Sequence, residues 1–287
     1  MQIAIASGKG GTGKTTVSVN LYYFLSEKYN NRVQLIDCDV EEPNDMLFFP
    51  QAKKEAEKEV FTAVPEIDKE RCIYCKKCVE WCEFNAISIV QRLKFAEVNY
   101  ELCHSCGACF EACSFEALTP VQNSLGSISD YRTTFGAGIV EGRLKIGSAM
   151  QTALIKSVKK QADSNQQITL LDAPPGTSCP VVETVATANY VILVTEPTPF
   201  GLHDLKITVE LLNEIHKPFG VIVNKAGLGN NTIYQFLEEN NITLLGKIPF
   251  SKAYAENYSR GEIFENIPVD VEKAYHFILG KLATIIN

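Results

Sequence analysis

Apolar residues gather into short runs with few interruptions: Ile3 to Ala6, Val33 to Ile36, Ile168 to Leu171, Tyr190 to Val194, Val221 to Val223 and Leu244 to Ile248. A strand that is apolar at nearly every position, with no polar alternation, is covered on both faces, so these runs predict a mainly parallel sheet. Longer stretches with helical periodicity separate them, one ending near Tyr29 and others over Met150 to Ala162, Leu202 to His216 and Asn231 to Asn240. Strand and helix taking turns in this way predict a doubly wound α/β fold, with ligands at the C-terminal ends of the strands. The final stretch, Val271 to Ile286, is apolar on one side and has Lys273 and Lys281 as its only lysines. It predicts a docked helix and no stable membrane anchor.

The pattern breaks between about residues 50 and 145. Lys53 to Glu59 is a charge run, read as a solvated, linker-like segment. Gln122 to Gly142 is rich in glycine and serine and reads as a mobile return. The stretch between them behaves as an insert, which predicts one discontinuous domain over 1–60 and 121–287 and a small α+β domain over 61–120. The total of 287 residues suits that division.

Composition narrows the function classes. At 46% hydrophobic and 21% charged residues the chain has enough apolar side chain for a sizeable core, which excludes intrinsic disorder. A net charge of -7 argues against nucleic acid as the main partner. The opening strand carries no charged leader, which points to a cytoplasmic protein. In a reducing compartment, ten cysteines indicate metal ligation or redox work rather than disulfides.

Eight of the ten form two runs, Cys72, Cys75, Cys78, Cys82 and Cys103, Cys106, Cys109, Cys113. Each reads C-x2-C-x2-C-x3-C, and an offset of 31 superposes all four positions as well as Ile67 on Val98, Phe84 on Phe115, Ala86 on Ala117 and Ile87 on Leu118. The unit is duplicated. Three thiolates on a tight loop reach three corners of a cubic cluster, while the fourth cysteine points to the other cluster. The spacing therefore predicts two [4Fe–4S] clusters, one held by Cys72, Cys75, Cys78 and Cys113, the other by Cys103, Cys106, Cys109 and Cys82. Structural zinc, which usually takes two pairs of ligands, fits this pattern poorly. Cys38 reads as a small buried residue and Cys179 as structural.

The first strand runs into Gly8, Lys9, Gly10, Gly11, Thr12, Gly13, Lys14, Thr15 and Thr16, and then a helix. Strand, glycine-rich loop and helix make a phosphate cradle: backbone N–H groups turn inward, the helix N-terminus adds positive potential, Lys14 neutralises phosphate charge and Thr15 ligates magnesium. Asp37 and Asp39 close the second strand and Asp172 the third, where helix capping is the alternative role, above all for Asp37.

With Lys9 after its first glycine, the loop resembles the deviant Walker ATPases, the MinD, ParA and Mrp group that includes the nitrogenase iron protein. That resemblance implies an ATP-dependent homodimer in which Lys9 reaches the partner's phosphates, with Asp39 positioning the attacking water and Asp172 holding magnesium through water. It also implies that Gly176 senses the γ-phosphate and that Asn224 and Pro249 flank adenine. Residues 67–120 resemble a bacterial two-cluster ferredoxin, although Glu83 and Ser114 stand where that family has proline. The stretches 37–44, 174–180 and 195–205 resemble MinD-superfamily ATPases carrying an inserted ferredoxin. The function implied is a Mg2+-dependent ATPase switch that gates electron delivery through two clusters to a redox or metallocluster-bearing partner. The alternatives are an iron–sulfur carrier, against which the missing C-P-x-C pair at Cys179 argues, and a ParA-like positioning protein whose insert is an interaction module.

Overall fold

The computed structural model describes residues 1–286. In chain order the elements are β1 (Gln2–Ala6), α1 (Lys14–Lys28), β2 (Val33–Asp37), β3 (Lys53–Ile67), α2 (Lys77–Glu80), β4 (Ile87–Val90), β5 (Phe95–Val98), α3 (Ala108–Ala112), β6 (Leu118–Arg132) and β7 (Gly138–Leu144). There follow α4 (Gln151–Lys159), β8 (Ile168–Asp172), α5 (Cys179–Ala186), β9 (Tyr190–Thr195), α6 (Pro199–Glu214), β10 (Phe219–Ala226), α7 (Thr232–Glu239), β11 (Leu244–Pro249), α8 (Lys252–Ser259) and α9 (Val269–Ile286).

Nine strands form one sheet in the order β11-β10-β9-β1-β8-β2-β7-β6-β3, parallel from β11 to β7 and antiparallel beyond. Alternate residues of the mostly apolar strands feed two separate cores. Ile3 and Ile5 face Leu21, Leu25 and Tyr275 of α1 and α9, while Ala4 and Ala6 face the side carrying Leu154, Val185, Leu205 and Leu237 of α4 to α7. Helices on both faces explain why the strands lack polar alternation. The last helix is docked as expected, with Val271, Tyr275, Ile278 and Leu282 buried. Among the described residues, no helix is long and apolar enough to cross a membrane.

The segment from Lys53 to Glu59 is not a linker. It is exposed, as its charges require, but forms the first half of β3, a 15-residue edge strand. Gln122 to Gly142 is likewise not a mobile return, since it lies in β6, the turn after it and β7. The glycines there serve close packing. A Cβ at Gly142 would come within 2.4 Å of Val158, and one at Gly126, where φ is +156°, within 2.2 Å of the Arg143 carbonyl oxygen. Leu125 and Ile128, on either side of Gly126, are buried in the same core as Val40, Val140 and Val158, which anchors the segment. β3 and β6 pair from Lys53 opposite Arg132 to Ile67 opposite Leu118, with bulges after Lys54 and Val60. The expected boundaries at 60/61 and 120/121 fall inside these strands, and the cysteine-rich unit is built on their far end.

Candidate functional site

At the C-terminal end of β1 the chain turns through Gly11 and Gly13, at φ +78° and +88°, into α1. Left-handed backbone of this kind is open to glycine at little cost. Gly13 is also hemmed in: a Cβ there would fall 2.1 Å from the Asn224 amide nitrogen, which donates to the Thr12 carbonyl at 2.8 Å. Gly8 is confined in the same way by the Asp204 backbone. Gly176, at φ +98°, donates its N–H to the Ser7 carbonyl, so the loop after β8 is bonded to the start of the phosphate loop.

Lys14 is buried and pairs with the Asp172 carboxylate at 2.7 Å. Thr15 Oγ1 donates to the same oxygen at 3.3 Å, and Ser18 donates to the other. Burial lowers the Lys14 pKa, but Asp172, with Asp45 and Asp37 behind it, leaves a net rise, so the side chain stays charged. Asp37, at the end of β2, accepts the N–H groups of Asp39, Asn44 and Asp45 and so shapes the loop that follows. Burial and the Asp172 charge push its pKa up to about 8. Asp39 is half-buried on that loop, and burial pushes it up to about 6.

Lys9 does not extend into solvent. It pairs with Glu196 at 3.0 Å, and Lys225 pairs with the other oxygen of the same carboxylate at 2.9 Å while donating to the Gly11 carbonyl. Burial would raise the Glu196 pKa, and the two lysines outweigh it and hold it below the ordinary range. Asn224 and Pro249 meet in one cavity of about 290 Å3 beside Gly11, Gly13 and Thr16, and Phe250, Tyr254 and Tyr258 supply aromatic walls. Its size and apolar lining suit a planar base next to the phosphate cradle.

The cysteines form a second centre. One cavity is lined by Cys72, Cys75, Cys78 and Cys113, the other by Cys103, Cys106, Cys109 and Cys82. The duplication is visible in the hydrogen bonds. Asp68 N–H donates to the Ala117 carbonyl, and Asn99 N–H, 31 residues on, donates to the Ala86 carbonyl, 31 residues back. Ala86 and Ala117 donate to the Cys82 and Cys113 sulfurs at 3.3 and 3.4 Å. The strand pair Ile67 opposite Leu118 recurs as Val98 opposite Ile87. Burial, then the other cysteines around them, push the Cys78 and Cys109 thiols up to about 11. Four thiols converging on one void in each half form a soft, all-sulfur donor set that fits an iron–sulfur cluster. Cys38 is buried, whereas Cys179 is exposed at the start of α5.

The comparison with known families decides the class. The pattern of the CobQ/CobB/MinD/ParA nucleotide binding domain matches residues 3–264. The chain belongs to this family. An uncharacterized protein of Methanocaldococcus jannaschii is 33% identical over 268 residues, covering 92% of this chain and 91% of its own. An iron–sulfur cluster carrier protein of Aquifex aeolicus is 22% identical over 302 residues, covering 99% of this chain and 68% of its own. Among solved structures, the septum site-determining protein MinD of Pyrococcus horikoshii, complexed with Mg-ADP, aligns with a TM-score of 0.57 at 21% identity, over 100% of this chain and 98% of that one.

Within a CobQ/CobB/MinD/ParA protein four residues of the site carry no mark in a motif reading. Glu196 lies in a stretch whose resemblance was plain, but nothing in one sequence says that it faces Lys9 across the sheet. Tyr254 and Tyr258 stand one helical turn apart just after Pro249, a spacing from which the aromatic wall could have been read. Asp45 follows Asn44 and looks like a loop carboxylate, yet it is fully buried.

Proposed function

We propose that this MinD/ParA-type protein is a magnesium-dependent ATPase whose nucleotide-driven dimerisation gates one-electron transfer through two [4Fe–4S] clusters to a partner protein. The observation that carries the reading is the pair of four-cysteine cavities on strands that continue into the nucleotide-binding sheet. Bound clusters would supply one-electron chemistry, with Cys72, Cys75, Cys78 and Cys113 holding one and Cys103, Cys106, Cys109 and Cys82 the other. The residues fit magnesium as well, because the site offers only hard oxygen donors and includes a buried carboxylate, Asp45, with neither oxygen hydrogen-bonded. Thr15 and Asp172 would hold the ion, with Asp39 beside it.

On this reading Lys14 leaves Asp172 for the β- and γ-phosphates, and Gly11 to Thr15 present backbone N–H groups to them. Asp39 orients the attacking water, and Gly176 responds to the γ-phosphate through its bond to Ser7. Asn224, Pro249 and the aromatic wall hold the base. Lys9 must give up Glu196 before it can reach a partner's phosphates, so closure of the dimer exchanges an intramolecular ion pair for an intermolecular one. Ferredoxin-like clusters alone would react with any colliding partner, and an ATPase adds a closed state whose lifetime hydrolysis sets.

A carrier role, in which a cluster is cargo, is favoured by the carrier proteins of Aquifex aeolicus and Helicobacter pylori, whose matches cover 99% and 91% of this chain. Anaerobically prepared protein distinguishes the readings. About eight irons per chain with matching sulfide, reversible reduction and retention of the clusters on mixing with an apo-acceptor support electron transfer. Loss of clusters to the acceptor establishes the carrier, and clusters that resist reduction leave a positioning ATPase with an interaction module.

A further inference from the structure

Beneath the phosphate loop three carboxylates converge. One oxygen each of Asp37, Asp45 and Asp172 lies within 4.8 Å of the others, and all three residues are fully buried. Two of them are satisfied by the protein. Asp37 accepts three backbone N–H groups, and Asp172 accepts from Lys14, Thr15 and Ser18. Asp45 accepts nothing on either oxygen. A buried carboxylate without a donor costs several kcal/mol, and two neighbours of the same charge add to that. Among the described residues the one cation in contact with the group is Lys14, on Asp172, and nucleotide binding would draw it away.

We propose that Asp45 is a positioning residue for the catalytic magnesium, closing with Asp37 and Asp172 an anionic cradle beneath Thr15. This rests on the reading of the chain as a magnesium-dependent ATPase. Oxygen-only donors suit a hard divalent cation, and a spread of up to 4.8 Å leaves room for the water that magnesium keeps. The Thr15 hydroxyl, in contact with Asp172, marks the side of the cradle that faces the phosphates. Asp45 opens a 3-10 turn ending at Phe48, which is buried, so its carboxylate has little freedom to turn away.

The test uses Mn2+ as a paramagnetic probe on the full chain with ADP, read by electron paramagnetic resonance, beside ADP binding titrated against Mg2+. Asp45→Asn and Asp45→Ser, checked for folding by thermal unfolding, should weaken Mn2+ binding and raise the Mg2+ needed for half-maximal ADP binding by roughly ten- to a hundredfold. ADP affinity in chelator should stay at the wild-type value. Unchanged Mn2+ affinity and Mg2+ requirement in either folded variant overturn the proposal and leave Asp45 as a carboxyl sharing a proton with Asp37. If the wild type itself shows no Mg2+-dependent ADP binding, it is the ATPase reading that fails.

Discussion

The nucleotide-binding body and the cysteine unit reach order by different means. The body buries two extensive apolar cores, one on each face of its sheet, and its parallel strands pair in register between them. The cysteine unit has two small clusters in which Cys78, Cys103 and Cys109 stand among a few aliphatic residues, while Ile73, Trp81, Phe95 and Phe115 are exposed. A segment with so little core of its own gains its stability from what its side chains bind. The body would therefore keep its fold without nucleotide, whereas on the proposed reading the cysteine unit would depend on its clusters.

The largest expected effect follows from that contrast. Chelation of iron, or Cys78→Ser, should abolish amide protection over residues 68–117 in hydrogen exchange and leave β1, β8 and β9 protected. Equal loss in both regions would show that they are one cooperative unit. Next, Leu170→Ala in the sheet should cost about 2–5 kcal/mol of global stability, measured by denaturant unfolding, with iron content unchanged in the folded protein. Smaller is the effect of Glu196→Gln, which frees Lys9 and should strengthen ATP-dependent dimerisation several-fold in sedimentation without changing cluster potentials.

The smallest effect concerns pH. Asp39 has a folded pKa raised to about 6, so the unfolded chain releases its proton first and stability falls as pH rises from about 4 to about 6. Thermal unfolding of Asp39→Asn without nucleotide should match wild type near pH 4 and exceed it by a few degrees at pH 8. The opposite order would show that the loop, not the charge, sets its stability.

The two regions also differ in how much of each the sequence reveals. Every predicted strand of the parallel sheet is present, because burial on both faces leaves mostly apolar runs without polar alternation. Each cavity is lined by the four cysteines that the spacing groups together, because that geometry is local within each loop apart from the crossed fourth cysteine. What joins them was not legible. β3 reads as a charge run because an edge strand keeps much of its length in water, and β6 and β7 read as a loop because their glycines relieve contacts with Val158 and Arg143, which lie far off or across a turn. Glu196 and Asp45 share that difficulty, since both owe their roles to partners that only folding brings near.

The β3–β6 ribbon decides how the cysteine unit is carried. Gly126–Arg132 of β6 is bonded to β7 and so belongs to the sheet, which leaves Leu118–Leu125 and its partners on β3 as a projecting beam of about 25 Å. A unit on a flexible tether samples many orientations and lets its partner choose among them. A unit on a beam shows its surroundings one face, and that face turns only when the sheet edge turns. Any movement of the loop after β2, whose Val40 carbonyl accepts the Leu144 N–H at the end of β7, would reach the cysteine unit as a change of aim rather than of reach, and a partner would dock where the beam points.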